Sequence, residues 1–391
     1  MGLPHVSRKE RHRHTRSGFV RWLMRIGLAL IFVMGLAAVT LLYGGKNHSS
    51  LQGSTEQKLE QFMDQYTKDH PFSGVVLVRQ KDKIVFKKAY DMANQKEKLP
   101  NTTETHFAAG SLTKSLTAVC ILQLEEKGIL SVNDPISHYI PDYPNGKNIK
   151  IHHLLTLTSG IPDYLEPEIV GDWTKPRTRD QVIELFKNRP VQFTPGEKWD
   201  YSNSNYVLLG TIIEKASGMN YENYVQKNIL DQAGMKHSYL HRNNDISIAQ
   251  GYENGQPVGA IDDSLLFACG SLITTVEDLS LYDQALQSGR LLTQPSLDKM
   301  YTRYVDADRF GLRGYGYGWY ESSKKSSFYH RDLSHGGSLP GLRAGIDRFI
   351  DDDLTIITLS NFSGDFNVVG FHNEIASIIF DKKLFYWQLL P

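Results

Sequence analysis

The chain has 391 residues, of which 40% are hydrophobic and 22% are charged, and its formal net charge at pH 7 is zero. This composition excludes a disordered or fibrous protein, and the length allows one large or two modest domains with a substantial core. Its two cysteines, Cys120 and Cys269, are too few for a disulfide framework in a domain of this size. We expect both to be buried small side chains, with a bridge between them as the alternative.

The first predicted element is a membrane segment that follows a basic tail. Residues 1–25 hold seven basic residues and one acidic residue, and residues 26–45 carry no charge over a length that spans a bilayer as a helix. A basic tail can also bind nucleic acid, but the adjacent apolar run favours a membrane, with the tail in the cytoplasm. We therefore predict a single-pass cell-membrane protein with an extracytoplasmic remainder, no nucleic-acid partner and a polar linker over residues 46–58. A cleaved signal peptide is the alternative, which the length of the run disfavours.

A single globular domain is predicted over residues 59–391. Two β-rich runs within residues 74–90 predict a hairpin. A helical insertion follows over about residues 111–260, strand-like runs return between residues 315 and 362, and residues 368–380 predict a closing helix. Strands at both ends with helices between them indicate one α/β layer interrupted by a helical region.

The most informative helix carries one charge among apolar residues. Lys114 is the only charged residue over residues 112–124 and follows Ser111 by three positions, which places both side chains on one face. Burial in such a helix lowers the pKa of a lysine, so its neutral amine can serve as the base that a serine nucleophile needs. The N-terminal end of the helix would also stabilise a developing oxyanion. The simpler alternative is that Ser111 caps the helix and Lys114 extends to solvent.

Two further short motifs hold candidate site residues. Tyr201 can pass a proton to a leaving group, and the amide of Asn203 can bind a substrate carbonyl or position the lysine, although a helix cap is the plainer interpretation of Asn203. His335 precedes two glycines and Ser338 in a strand-like run, where glycine often marks the close approach of a ligand or of another backbone segment. His335 itself can be a surface histidine or a cation that holds a substrate carboxylate.

Together, the three motifs resemble in order and spacing those of the serine β-lactamase-like family, which includes class C β-lactamases, low-molecular-weight penicillin-binding proteins, D-amino-acid amidohydrolases and related esterases. The motif residues are Ser111, Lys114, Tyr201, Asn203, His335, Gly336 and Gly337. The resemblance extends over about residues 59–385 and includes segments such as EEKGILSVNDPISHYIP and IKIHHLLTLTSGIPDY.

The resemblance implies an α/β domain with an antiparallel sheet flanked by helices, joined to an all-helical subdomain, with the site between the two. It implies Ser111 as the acylated nucleophile, Lys114 as its base partner and Tyr201 as the proton shuttle. The chemistry would be covalent acyl transfer without a metal or an organic cofactor. His152 and His153 do not suggest a metal site either, because adjacent residues diverge on a helix.

The resemblance also implies how the substrate is bound. Asn203 would contribute an amide, His335 the cationic group of the third motif, and Gly337 and Ser338 the adjoining strand. The oxyanion hole would be formed by the backbone N–H groups of Ser111 and Ser338. One departure is the His-Gly-Gly sequence where class C β-lactamases usually have Lys-Thr-Gly, which disfavours efficient β-lactam hydrolysis.

The sequence therefore predicts a membrane-anchored serine acyl hydrolase, with D-Ala-D-Ala carboxypeptidase activity on cell-wall peptides and with β-lactams as covalent ligands. A D-amino-acyl esterase or amidase, or a β-lactamase, would use the same motifs. A non-catalytic binder or antibiotic sensor is an alternative of another class, and the intact catalytic residues argue against it.

Overall fold

The computed structural model describes residues 45–242, 247–324, 327–364, 366–385 and 388. In chain order its strands are β1 (Gly45–Lys46), β2 (Gly74–Gln80), β3 (Lys83–Tyr90), β4 (Met92–Asn94), β5 (Leu99–Pro100), β6 (Phe107–Gly110), β7 (Tyr252–Glu253), β8 (Gln256–Pro257), β9 (Leu272–Thr274), β10 (Val305–Asp306), β11 (Arg313–Tyr315), β12 (Tyr320–Ser322), β13 (Asp332–Leu339), β14 (Leu342–Phe349), β15 (Leu354–Ser360) and β16 (Leu384–Phe385). Its α-helices are α1 (Thr55–Asp69), α2 (Thr113–Glu126), α3 (Ile151–Leu155), α4 (Pro167–Val170), α5 (Arg179–Glu184), α6 (Ser204–Ser217), α7 (Tyr221–Val225), α8 (Asp231–Ala233), α9 (Phe267–Gly270), α10 (Val276–Gln287), α11 (Gln294–Met300) and α12 (Val368–Ile379).

The main sheet has eight strands in the order β10-β11-β12-β13-β14-β15-β2-β3, and every neighbouring pair is antiparallel. This confirms the predicted mixed α/β class with an antiparallel sheet. The predicted hairpin is β2–β3, and Lys81 in its tight turn has a φ of 55°. Strands from distant parts of the described chain meet where β15 pairs with β2, next to the edge strand β3.

Helices cover both faces of this sheet. On one face α1 and α12 form an apolar cluster with the strands, in which Phe62, Phe371 and Ile375 are buried. On the opposite face α10 packs against β2 and β15. The apolar residues of the central strands are therefore removed from water on both sides, which is the main source of stability for a sheet of this kind.

Between β6 and β9, which includes the predicted helical insertion at about 111–260, the described chain holds helices α2 to α9, connecting loops and two short strands, β7 and β8. The centre of this region is formed by α2, α6 and α9, which pack directly against one another. Gly210 permits the close approach of α6 and α9, since a Cβ atom there would lie 2.6 Å from that of Ala268. Cys120 and Cys269 are both buried and free, as expected for small core side chains, and they form no bridge.

The N-terminal prediction lies mostly outside the described residues. Of the predicted membrane segment, residues 26–45, the structure describes only Gly45, which lies in β1 and pairs with Phe385 rather than ending a helix. Of the helices in the described ranges, none combines the length and apolar character that crossing a membrane requires.

The predicted linker, residues 46–58, is shorter in the structure. Helix α1 begins at Thr55 because Ser54 and Gln57 form a reciprocal capping box, which satisfies the first backbone N–H groups of the helix. At the other end of the segment, the Lys46 ammonium lies 2.6 Å from a carboxylate oxygen of Glu374 on α12. Both ends are thus bound to the globular domain.

A buried charge cluster fastens α10 to the sheet. The carboxylate of Asp283 accepts hydrogen bonds from the Arg79 guanidinium and, at 2.7 Å, from the hydroxyl of Thr355. Arg348 lies 3.5 Å from the same carboxylate and 2.6 Å from that of Asp353. Arg79, Arg348 and Asp283 are almost fully excluded from solvent, so each charge depends on its partners.

We expect Asp283→Ala to lower the free energy of unfolding by about 3–5 kcal/mol, because it leaves two buried guanidinium groups without their shared carboxylate. Denaturant unfolding of the purified protein measures this change. Glu277→Ala is the matched control on the same helix, since its ion pair with Lys87 is half exposed and is worth at most about 1 kcal/mol. Equal losses of unfolding free energy in the two variants would contradict the stabilising role of the Asp283 cluster.

Candidate active site

The candidate nucleophile lies at the junction of a strand and a helix. Strand β6 ends at Gly110 with a left-handed φ of 53°, and Ser111 follows, one residue before the helix cap position at Leu112. No side chain caps this helix, so the capping interpretation of Ser111 is wrong. Instead, the Thr113 hydroxyl donates to Gly110 O at 2.7 Å and accepts from Leu272 N at 2.9 Å. These bonds hold the start of α2 against β9.

The predicted base is fully buried beneath the nucleophile. Lys114 Nζ lies 3.0 Å from Ser111 Oγ, 2.7 Å from Asn203 Oδ1 and 2.9 Å from the Cys269 carbonyl oxygen. Burial lowers the pKa of Lys114 to about 8, as predicted from its apolar helix. The two carbonyl oxygens are acceptors, so each takes one N–H bond of the neutral amine. The lone pair of the amine is then directed at Ser111.

The tyrosine of the second motif reaches the same oxygen. The Tyr201 hydroxyl donates a hydrogen bond to Ser111 Oγ at 2.8 Å, and Lys114 Nζ lies 4.9 Å from the centre of its ring. Burial raises the pKa of Tyr201 above its usual value, so the resting phenol is neutral. Tyr201 also lines the cleft, so its phenolic proton can pass between Ser111 Oγ and a group bound there.

Asn203 is positioned by a residue that the sequence analysis missed. The Asp163 carboxylate accepts from Asn203 Nδ2 at 2.8 Å and from Asn203 N at 3.2 Å. Asn203 stands at the cap position of α6, but its side chain makes no capping bond, because Asp163 turns its amide oxygen toward Lys114. Asp163 lies in the segment LTSGIPDY, which was recognised as family-like without a role for any one residue.

The histidine of the third motif differs from its predicted charge state. His335 is only 2% exposed, with Nδ1 2.7 Å from the carbonyl oxygen of Gly336 and Nε2 3.1 Å from the Tyr315 hydroxyl. Burial, followed by the nearby charge of Lys114, lowers its pKa to about 3. The prediction of a cation here is therefore wrong for the free protein: a neutral imidazole donates to a carbonyl and accepts from a phenol.

The remaining residues of the third motif bring their backbone beside the nucleophile. A Cβ atom on Gly337 would lie 1.9 Å from Ala109 O, so only glycine permits this approach of β13 to β6. A Cβ atom on Gly110 would lie 3.3 Å from Ser338 N, which places that N–H group next to Ser111. The oxyanion hole predicted from Ser111 and Ser338 stays a prediction, and this proximity is compatible with it.

All these groups belong to one open cleft of about 710 Å³. Six of the seven predicted site residues line it, and Lys114 lies directly beneath. The six are Ser111, Tyr201, Asn203, His335, Gly337 and Ser338. In the part of the chain that the structure describes, no group of three or more His, Cys, Asp or Glu side chains is arranged to hold a metal ion.

Comparison with known proteins agrees with this geometry. A family model described as Beta-lactamase matches residues 57–374. PbpX of Bacillus subtilis (strain 168), whose name classes it among penicillin-binding proteins, is 33% identical over 326 residues, or 82% of this chain and 78% of that protein. Teichoic acid D-alanine hydrolase of Staphylococcus aureus (strain MRSA252) is 28% identical over 262 residues, or 64% of each protein.

A solved structure shows the same architecture. The octameric penicillin-binding protein homologue from Pyrococcus abyssi matches with a TM-score of 0.73 and 30% sequence identity. The match covers 83% of this chain and 77% of that one. The fold and the motif residues of the cleft therefore point to the same group of proteins.

The pH dependence of acylation tests the role of Lys114. Since its pKa is lowered to about 8 and only the neutral amine can accept a proton, acylation should fall about tenfold per pH unit below pH 8 and level off above it. The rate of acylation by an uncharged ester, which has no titrating group of its own, measures this. A flat profile between pH 6 and pH 9 would show that Lys114 is not the base.

Asp163→Asn tests the positioning of Asn203. An amide cannot accept both hydrogen bonds, so the Asn203 side chain should turn and the acylation rate should fall by about 100-fold. Asp163 also raises the pKa of Lys114, so the midpoint of the pH profile should move to lower pH. Glu168→Gln, an exposed neighbour, is the control. An unchanged midpoint would mean that Asp163 has only a structural role.

Proposed function

Because the chain belongs to the beta-lactamase family of serine hydrolases, we propose that it cleaves D-amino-acyl groups through an acyl-enzyme on Ser111, as a D-Ala-D-Ala carboxypeptidase acting on cell-wall peptides. The observation that carries this proposal is the convergence of Lys114 and Tyr201 on one oxygen, Ser111 Oγ, at 3.0 and 2.8 Å. A serine with two such partners is equipped for nucleophilic catalysis.

Acylation begins when Ser111 Oγ attacks the carbonyl carbon of the scissile bond and transfers its proton to the neutral amine of Lys114. The carbonyl oxygen becomes an oxyanion beside the backbone N–H groups of Ser111 and Ser338. As the carbon–nitrogen bond breaks, Tyr201 gives its phenolic proton to the departing amine and regains one from Lys114. The products of this step are the acyl-serine and the free terminal D-alanine.

Deacylation repeats these transfers with water in place of Ser111. Water attacks the acyl carbon and gives one proton to Lys114. The bond between the acyl carbon and Ser111 Oγ then breaks, and Oγ takes this proton back. Over both steps one water is consumed and one bond is hydrolysed. The His335 imidazole, which is neutral, would orient the strand bearing Ser338 through its bonds to Tyr315 and Gly336.

A second candidate is the hydrolysis of D-alanyl esters on a wall polymer. It is favoured by the relative named teichoic acid D-alanine hydrolase, which aligns with 64% of this chain. The same residues would act, with an alcohol as the leaving group in place of an amine. An ester is easier to cleave than an amide, so the same residues would be acylated more readily by this substrate.

The proposal places the catalytic domain outside the cell, anchored by residues 26–45. This placement rests on the uncharged run behind a basic tail. A cell-wall substrate lies on that side of the membrane, so location and proposed chemistry agree. β-Lactams would react as substrate analogues, and the neutral His335 makes rapid β-lactam hydrolysis the less favoured outcome.

We expect the protein to form a covalent penicillin adduct on Ser111 and to release D-alanine from D-Ala-D-Ala peptides or from D-alanyl esters. Intact-mass spectrometry after incubation with benzylpenicillin locates the adduct, and amino-acid analysis measures the D-alanine. Ser111→Ala should abolish both reactions, because it removes the oxygen that would carry the acyl group.

Ser115→Ala is the matched control, since it removes a buried hydroxyl one turn further along the same helix. It should keep both reactions. Persistence of D-alanine release in Ser111→Ala would contradict the nucleophile, and hydrolysis of simple esters without any D-alanine release would contradict the substrate class. A labelled Ser111 without turnover of any substrate would support a sensor instead.

A further inference from the structure

The neutral state of His335 leaves the cleft without the cation predicted for it. Lys114 lies beneath the cleft floor with its amine bound to carbonyl groups. Two arginines line the cleft, Arg313 and Arg343. The Arg343 guanidinium donates to the carbonyl groups of Leu339 and Leu342 through one nitrogen, Nη1, and of the two arginines only Arg313 also lines a second cavity. This leaves Arg313 as the arginine to consider for an anionic group of the substrate.

Arg313 is held in place by an aromatic ring and forms no salt bridge with the described residues. Its guanidinium carbon lies 4.2 Å from the centre of the Tyr320 ring, a cation–π contact that orients it. Within the described part of the chain no carboxylate lies within 4.0 Å of it, and its guanidinium makes no hydrogen bond to those residues. The nearest acid in sequence, Asp308, accepts from the backbone N–H groups of Phe310, Leu312 and Arg313.

Arg313 also stands between the cleft and a second cavity of about 510 Å³. The two cavities share Arg313, Tyr320 and Val369, so a ligand in the cleft can extend past the guanidinium. The second cavity is lined by the buried polar residues Ser334, Asp332 and Asp347, and one carboxylate oxygen of Asp347 lies 3.0 Å from the His372 ring.

An anion in this cavity would meet little opposing charge from Asp332. That side chain is 4% exposed, and one of its carboxyl oxygens has no hydrogen-bond partner. Burial, followed by the neighbouring charge of Asp347, raises its pKa well above the usual value, which favours the protonated form of the carboxyl. A protonated acid can donate a hydrogen bond to an anionic oxygen.

The second cavity is linked to Tyr201, the proposed proton donor to the leaving group, through aromatic side chains. Tyr201, which would protonate that group, is in ring contact with Trp199 at 6.3 Å, and Trp199 is 6.2 Å from Tyr320. Arg313 rests on this last ring. One aromatic wall therefore runs from the proton donor to the free guanidinium.

We propose that the second cavity is a subsite for the leaving group and that Arg313 binds an anionic group on it, making this arginine a specificity-determining residue. This rests on the proposed function and narrows its substrate class to D-amino-acyl compounds whose leaving group carries a carboxylate or a phosphate. The terminal D-alanine of a peptide supplies the first, and a polymer alcohol next to a phosphodiester supplies the second.

The test compares substrates that differ only in the charge of the leaving group. One pair is a D-Ala-D-Ala peptide and its C-terminal amide, and the other is the D-alanyl ester of glycerol phosphate and that of glycerol. For wild type and Arg313→Gln, the ratio of kcat/KM for the charged over the uncharged member is measured. We expect Arg313→Gln to lower this ratio by about 10- to 100-fold, as for the loss of a charged hydrogen bond, and Arg313→Lys to restore part of it.

Arg303→Gln is the matched control. Arg303 lies beside Gly314 of β11, the strand that also carries Arg313, but it pairs with Asp306 and lines neither cavity. Its ratio should equal that of wild type. Loss confined to the peptide pair identifies the carboxylate, and loss confined to the ester pair identifies the phosphate. An unchanged ratio in Arg313→Gln, or an equal change in Arg303→Gln, overturns the proposal.

A third pair separates this inference from the proposed function. If wild type releases no D-alanine from any substrate, the D-amino-acyl proposal fails. Phenyl acetate and 3-carboxyphenyl acetate then decide the role of Arg313, because they need only Ser111 and differ only in leaving-group charge. A lower ratio for this pair in Arg313→Gln upholds the anion subsite, and an unchanged ratio overturns it.

Discussion

The active site depends on an amine that is kept out of water. Lys114 has lost all contact with solvent, and the Asn203 amide and the Cys269 carbonyl fix two of its N–H bonds. This arrangement lowers the pKa of Lys114, so that the neutral amine is populated near physiological pH, and it directs the lone pair of the amine at Ser111. Any change in the packing of α2, α6 or α9 would let water reach the amine, so the helical core and the chemistry are one system.

The sheet contributes the other half of the site through backbone rather than side chains. The approach of β13 to β6 is possible only because Gly337 has no Cβ atom to meet the Ala109 carbonyl. The left-handed backbone at Gly110 then turns the chain from β6 into α2 and presents Ser111 to the cleft. The helical core holds Lys114 and its partners, the inner strand β13 brings its backbone beside Ser111, and Ser111 lies where the two meet.

Local pattern was sufficient for much of the fold, whereas the roles predicted for Ser111, Lys114 and Tyr201 came from the resemblance of three separated motifs to one family. The β2–β3 hairpin, the strands β13, β14 and β15 and the closing helix α12 all follow from runs of residues with a clear period, and they appear within a few residues of their predicted bounds. The spacing of Ser111 and Lys114 is a property of one helical turn. At the start of the predicted strand-like region, near Tyr315, the structure has two short strands, β11 and β12, separated by a turn at Gly318.

What the sequence by itself determined was which side chains are available and which of them share a turn or a strand: Ser111 with Lys114, Tyr201 with Asn203, and His335 with its glycines. Only the tertiary structure decided their charges and partners. Asp163 holds Asn203 across a gap of 40 residues, and His335 is neutral because the surrounding strands and Tyr315 exclude water from it. A pKa and a hydrogen bond depend on what surrounds a group in space, and for these groups the surroundings come from distant parts of the chain.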